Sequence, residues 1–119
     1  MSEHKFLHLE ISAKDRVAAG KFYSDLFGWE VNQNEQMDYA SFVDADGLSA
    51  GLNPVKEGVP AGSVVPYISC SDVGATLAKA ESLGAKAVMT ATDIPTVGVI
   101  GIFVDPTGNM IGVMTPAEM

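Results

Sequence analysis

A six-residue phrase that occurs twice sets the tightest limit on how this chain can fold. Phe42-Val43-Asp44-Ala45-Asp46-Gly47 returns 61 residues later as Phe103-Val104-Asp105-Pro106-Thr107-Gly108. Its surroundings return with it. Asp15 and Gly28 bracket a helical pattern, and they correspond to Asp72 and Gly84 at offsets of 57 and 56. Insertions in the loops between repeats change an offset by a few residues in this way. The chain therefore reads as two copies of one supersecondary unit, and neighbouring copies of such a unit share the burial of their apolar faces.

Each copy has the order strand-helix-strand-strand-strand. In residues 5–12, Leu7, Leu9 and Ile11 alternate with His8, Glu10 and Ser12, the two-residue period of a half-buried strand. Asp15 is placed to cap a helix whose apolar stripe is Ala19, Phe22, Tyr23 and Leu26, and Gly28 stands where a left-handed cap ends it. Trp29–Asn32, Tyr39–Val43 and Leu48–Leu52 follow as short strands, with Asp46-Gly47 as a hairpin turn. Residues 53–63 hold two prolines and two glycines and read as a connector. The second copy runs through a strand at Val65–Cys70 and a helix capped by Ser71 or Asp72, with Val73, Leu77, Ala80 and Leu83 on one face and Gly84 at its end. Strands at Ala85–Met89, Val97–Val104 and Met110–Met114 complete it. The expected fold class is α+β: two βαβββ modules in tandem, about 6–52 and 65–115, in one domain. Curved mixed sheets would enclose a cavity, with a helix on each outer face.

Composition narrows the function classes. Apolar residues make up 47% and charged residues 18% of 119, enough for a folded core. The net charge of −8 repels phosphate backbones, so no nucleic-acid partner is expected. The longest apolar stretch, Val97–Val104, is too short to span a bilayer and holds two glycines, and the first residues lack the apolar core of a signal peptide. A cytoplasmic protein without membrane contact is expected. The single cysteine, Cys70, excludes an intrachain disulfide and reads as a buried core thiol.

Several polar side chains are placed to line the cavity. His8 and Glu10 share one face of the first strand; His8 is a candidate ligand contact or acid/base group, and Glu10 a candidate base or cation receptor. The repeat maps Glu10 onto Tyr67 and Ser12 onto Ser69, so both should face the cavity from the second copy. Tyr39, Ser41, Ser49 and Asn53 are further polar candidates in the first. Met110 and Met114 flank Gly112 and would give a soft, shape-tolerant wall. Trp29 is a weaker candidate.

Taken together, His8, Asp15, Phe22-Tyr23, Leu26-Phe27-Gly28-Trp29, the loop Ile94-Pro95-Thr96-Val97-Gly98 and the closing Phe103-Val104-Asp105-Pro106-Thr107-Gly108-Asn109 resemble the vicinal oxygen chelate family. That family includes glyoxalase I, bleomycin-resistance proteins and ring-cleaving dioxygenases. The resemblance covers residues 6 to about 115. It implies a divalent metal held by a His and a Glu in one half and a His or Gln and a Glu in the other. Only His8 matches; Val65, Gly51 and Gly112 stand at the other three positions. One imidazole cannot dehydrate and hold an ion that needs several converging donors. No cofactor and no divalent metal are therefore expected. The resemblance also implies a homodimer, and by analogy with acidic bleomycin-binding members a charged ligand would be cationic. The resulting reading is a small-molecule-binding protein. The alternatives are a metal-dependent lyase, isomerase or dioxygenase of the glyoxalase type that uses His8, and a non-catalytic interaction or subunit protein.

Overall fold

A computed structural model describes residues 4–56 and 59–117, and these form two compact units. One comprises residues 8–56 and 59–65; the other joins residues 66–117 to 4–7.

In the first unit, β1 (Phe6–Ala13) leads into α1 (Arg16–Phe27), and β2 (Asn32–Asn34), β3 (Tyr39–Val43) and β4 (Ser49–Pro54) follow. The sheet order is β2-β3-β4-β1, with β4 parallel to β1 and the other pairs antiparallel. The Asp15 side chain accepts from the backbone N–H groups of Val17 and Ala18, which satisfies two donors that the first helical turn would otherwise leave unpaired. Gly28 ends the helix at φ 76°, a left-handed conformation that costs glycine nothing.

Alternation separates the two faces of this sheet. Ala40, Phe42, Ala50 and Leu52 form the buried cluster, and Leu9, Ile11, Ala13, Ala19, Tyr23, Trp29 and Val31 pack against it. His8, Glu10 and Ser12 pair in register with Ser49, Gly51 and Asn53, which puts a polar set on the other face. The helix therefore covers the apolar face and leaves the polar one to solvent or a ligand.

The second unit repeats the plan. β5 (Val64–Ser69) pairs parallel with β8 (Met110–Pro116), and β8 leads outward to β7 (Gly98–Val104) and β6 (Lys86–Ile94). α2 (Val73–Ser82) takes Asp72, not Ser71, as its N-cap, through a bond from the Ala75 N–H. Val73 and Leu77 of the helix pack with Cys70 and Val113, and Ala87, Val99 and Phe103 close around them.

Several elements differ from the sequence reading. The strand expected at Trp29–Asn32 begins only at Asn32, because the Trp29 ring turns inward to stack on Phe42 at 4.9 Å and meets Phe27 at 4.8 Å. Trp29 is thus a core residue of the first unit. The strand expected at Leu48–Leu52 runs on through Asn53 and Pro54, which pair with Ser12 and Ala13, so the connector begins later than its prolines suggest. β6 extends to Ile94 as one arm of a hairpin that turns at residues 95–97, with Thr96 at φ 66°. The inner stripe of α1 is Arg16, Ala19, Gly20 and Tyr23, whereas Phe22 and Leu26 are each 58% exposed. The apolar side chains of α1 exceed what one face can bury, and the helix turns Ala19, Gly20 and Tyr23 inward with Arg16.

Candidate functional site

The polar face of the first unit gathers five side chains from three strands. β1 supplies His8 and Glu10, β3 supplies Tyr39, and β4 supplies Ser49 and Asn53. His8 Nδ1 lies 2.5 Å from Ser49 Oγ. His8 Nε2 meets Glu10 Oε2 and lies 3.0 Å from Tyr39 Oη. Tyr39 Oη donates to Glu10 Oε2 at 2.5 Å, and the Asn53 amide donates to Glu10 Oε1. One carboxylate therefore gathers an imidazole, a phenol and an amide, and the imidazole links it onward to a hydroxyl. The His8 and Glu10 side chains retain only 16% of their surface each. Among the described residues, no buried side-chain polar atom lacks a partner, as a desolvated polar network requires.

Gly51 shapes this cluster. A Cβ there would fall 1.6 Å from Tyr39 Oη and 2.2 Å from the ring carbon that bears it. The phenol thus occupies the space that a side chain at position 51 would need. The second unit repeats the motif: a Cβ on Gly112 would fall 2.5 Å from the ring of Tyr67, its partner in register. Both positions that the family resemblance assigns to carboxylates are glycines roofed by tyrosine. Val65, at the second imidazole position, is buried. Among the described residues, no group of three or more His, Cys, Asp or Glu side chains could hold a metal ion.

A groove adjoins the cluster. Glu30, Asn32, Ser41, Phe42, Val43 and Ser49 line it, and Ser49 belongs to both. Of the side chains expected from sequence, His8, Glu10, Tyr39 and Asn53 are joined directly, and Ser41 lies beside them in the groove. Tyr67, Ser69, Met110 and Met114 belong to the second unit, where Tyr67 faces Gly112 and Ser69 pairs with Met114. There the Ser69 hydroxyl accepts from the Lys5 N–H at 2.9 Å, and its carbonyl meets His4 Nδ1 at 2.8 Å. Glu30 and Asn32 were not expected. Asn32 pairs with Ser41 and so shares its face, a cross-strand register that local pattern does not give.

Arg16 fixes the hairpin that carries Tyr39. Its guanidinium, with 9% of its surface exposed, donates to Asp38 (2.8 Å), Gln33 (2.5 Å) and Glu35 (3.0 Å). The hydrogen bond to Asp38, then that to Glu35, holds its pKa above the ordinary arginine value. Asp38 itself sits at φ 51°, one residue before Tyr39.

The fold, with a module used twice and a glycine under a tyrosine ring in each copy, defines a class that comparison places firmly. The profile of the Glyoxalase/Bleomycin resistance protein/Dioxygenase superfamily matches residues 5–113, and the chain belongs to that superfamily. It is 31% identical over 111 residues to CFP32 of Mycobacterium tuberculosis, named as a suspected glyoxylase, covering 87% of this chain and 42% of that protein. It is 27% identical over 133 residues to the anthracycline biosynthesis protein DnrV of Streptomyces peucetius, covering 92% and 48%. The chain thus spans less than half the length of these relatives. Among solved structures, methylmalonyl-CoA epimerase from Mycobacterium tuberculosis superposes with a TM-score of 0.69 at 19% identity, covering 95% of this chain and 88% of that one. A hypothetical protein from Bacillus halodurans superposes with a TM-score of 0.76 at 10% identity, covering 99% and 98%. At such identities these two likenesses concern the fold alone.

Proposed function

We propose that this chain is a small-molecule-binding member of the superfamily that works without a metal of its own. The observation that carries this reading is the phenol of Tyr39 lying over Gly51. At the place where a family ligand would project, the chain has a backbone hydrogen, and a tyrosine hydroxyl closes over His8 and Glu10 instead. The remaining donors, one imidazole and one carboxylate, already bond to each other and to Tyr39, Asn53 and Ser49. A divalent ion would have to break that network and would still lack the further donors it needs.

The ligand would enter the groove beside Ser49. Glu30 and the net charge of −8 favour a neutral or cationic molecule, and Phe42 and Val43 give it an apolar contact. Tyr67, Ser69, Met110 and Met114 are the corresponding candidates in the second unit. Calorimetric titration with a panel of small cationic and neutral aromatic compounds tests the reading. Binding should weaken at least about tenfold, roughly 1.4 kcal/mol, on substituting Ser41→Val or Glu30→Gln. Binding unaffected by both would place the ligand elsewhere.

A homodimer and a cytoplasmic location belong to the same proposal. β2 and β6 end their sheets on one side with unpaired edges, which symmetric association would protect. Among the described residues, no helix is long and apolar enough to cross a membrane. The second reading is a metal-dependent lyase, isomerase or dioxygenase built on His8. The name of CFP32 favours it, and metal content separates it from the first.

A further inference from the structure

The bonding order around His8 is that of a nucleophile, a base and a group that orients the base. Ser49 Oγ lies 2.5 Å from His8 Nδ1, and Glu10 Oε2 meets His8 Nε2 on the opposite side of the ring. A carboxylate at Nε2 favours the tautomer that carries its proton there. Nδ1 then has its lone pair directed at the serine hydroxyl, the arrangement that activates serine in acyl transfer. Asn53 and Tyr39 hold Glu10 in turn. Ser49 also lines the groove where a ligand would lie.

We infer that Ser49, His8 and Glu10 form an acyl-transfer site for small neutral or cationic esters. Ser49 Oγ attacks the ester carbonyl carbon while its proton passes to His8 Nδ1. The carbonyl π electrons move onto oxygen, and the Asn32 amide and Ser41 hydroxyl, which also line the groove, would donate to that charge. Collapse of the tetrahedral adduct breaks the bond to the alcohol oxygen, which leaves with the proton from His8. Water then attacks the Ser49 ester, gives its proton to His8 Nδ1, and releases the acid as the proton returns to Ser49. The net reaction consumes one ester and one water and yields one acid and one alcohol. Ser49 and His8 are the catalytic residues; Glu10 is a positioning residue. Glu30 at the groove disfavours anionic acyl groups.

This inference rests on the metal-independent reading, because a metal on His8 would take the lone pair that Ser49 needs. The test uses the full chain with p-nitrophenyl acetate and, separately, with an alkyl fluorophosphonate. The expected result is a burst of one p-nitrophenol per chain and a single phosphonylated peptide containing Ser49. Ser49→Ala should remove both, and His8→Gln should slow the burst at least about a hundredfold. Glu10→Gln should slow it without lowering its amplitude, and Glu10→Asp should restore part of the rate. A label absent from Ser49, or a burst that survives Ser49→Ala, overturns the proposal. If Ser49→Ala fails to fold, the site of the label in the unaltered chain decides alone. Labelling of Ser49 only after EDTA treatment would uphold the acyl-transfer site and overturn the metal-independent reading, so the two failures are distinguishable.

Discussion

At Gly51 the absence of one side chain decides what the site can be. Its hydrogen lets the Tyr39 hydroxyl reach both His8 and Glu10, and a methyl there would meet the phenol at 1.6 Å. Gly51→Ala should therefore destabilise the fold by about 1–3 kcal/mol through overpacking. Much of that cost should disappear when Tyr39→Ala is added, and a double-mutant cycle of urea midpoints measures the coupling. Additive effects would show that the ring can swing away. A second residue-scale test concerns acid. Asp105 accepts from the backbone N–H of Asn109 and from the Thr107 hydroxyl, and with smaller contributions its carboxyl is held down to about 2. A depressed folded value stabilises the native state above the unfolded carboxylate pKa, and that stabilisation is lost as pH falls through the folded one. The stability difference between the unaltered chain and Asp105→Asn should thus be constant above about pH 4 and narrow between about pH 4 and 2. Urea midpoints across that range measure it; a constant difference would contradict the assignment. At this scale the sequence was informative about direction. Alternation alone put His8, Glu10 and Ser12 on one face of the first strand. It could not say that Tyr39 lies over Gly51 on the neighbouring strand, because that depends on which way the ring swings.

Elements show a different balance. Caps and turns were legible because they follow from local backbone needs: Asp15, Gly28, Asp72 and the Asp46-Gly47 turn all stand where the pattern placed them. Strand ends and the inner face of α1 were not, because tertiary contacts choose among apolar residues that local pattern treats alike. Arg16 illustrates this. Nothing in the local pattern singles it out, yet it is buried and bonds to Gln33, Glu35 and Asp38 on the β2–β3 hairpin. Those acceptors lie next to Tyr39, so Arg16 holds the hairpin that supplies the phenol. Arg16→Met should keep the helix but loosen the hairpin. Amide exchange should accelerate at residues 32–41 and remain unchanged in β7 and β8; unaltered protection across the hairpin would show that sheet pairing alone holds it.

For the whole molecule, the repeat that the sequence displayed as a returning phrase appears as two units of the same strand order, each with one helix on its apolar face. It also appears in the paired tyrosines over Gly51 and Gly112. The charge of −8 gives no fold information but affects association: self-repulsion should weaken any dimer at low salt. Sedimentation should show a dimer whose dissociation constant falls as salt rises, and a monomer at every concentration and salt would contradict the proposed assembly. The central claim is that the chain works without the metal that its family resemblance implies. An ion that binds the native state stabilises it by RT ln(1 + [L]/Kd), about 2.7 kcal/mol at a hundredfold excess over Kd, which raises the melting temperature of a domain of this size by roughly 8 °C or more. The decisive measurement is metal content after dialysis, joined to melting with added zinc, nickel or manganese. The account predicts no stoichiometric metal and a shift of less than about 2 °C; one ion retained per chain, or a shift of many degrees that vanishes in His8→Gln, would contradict it.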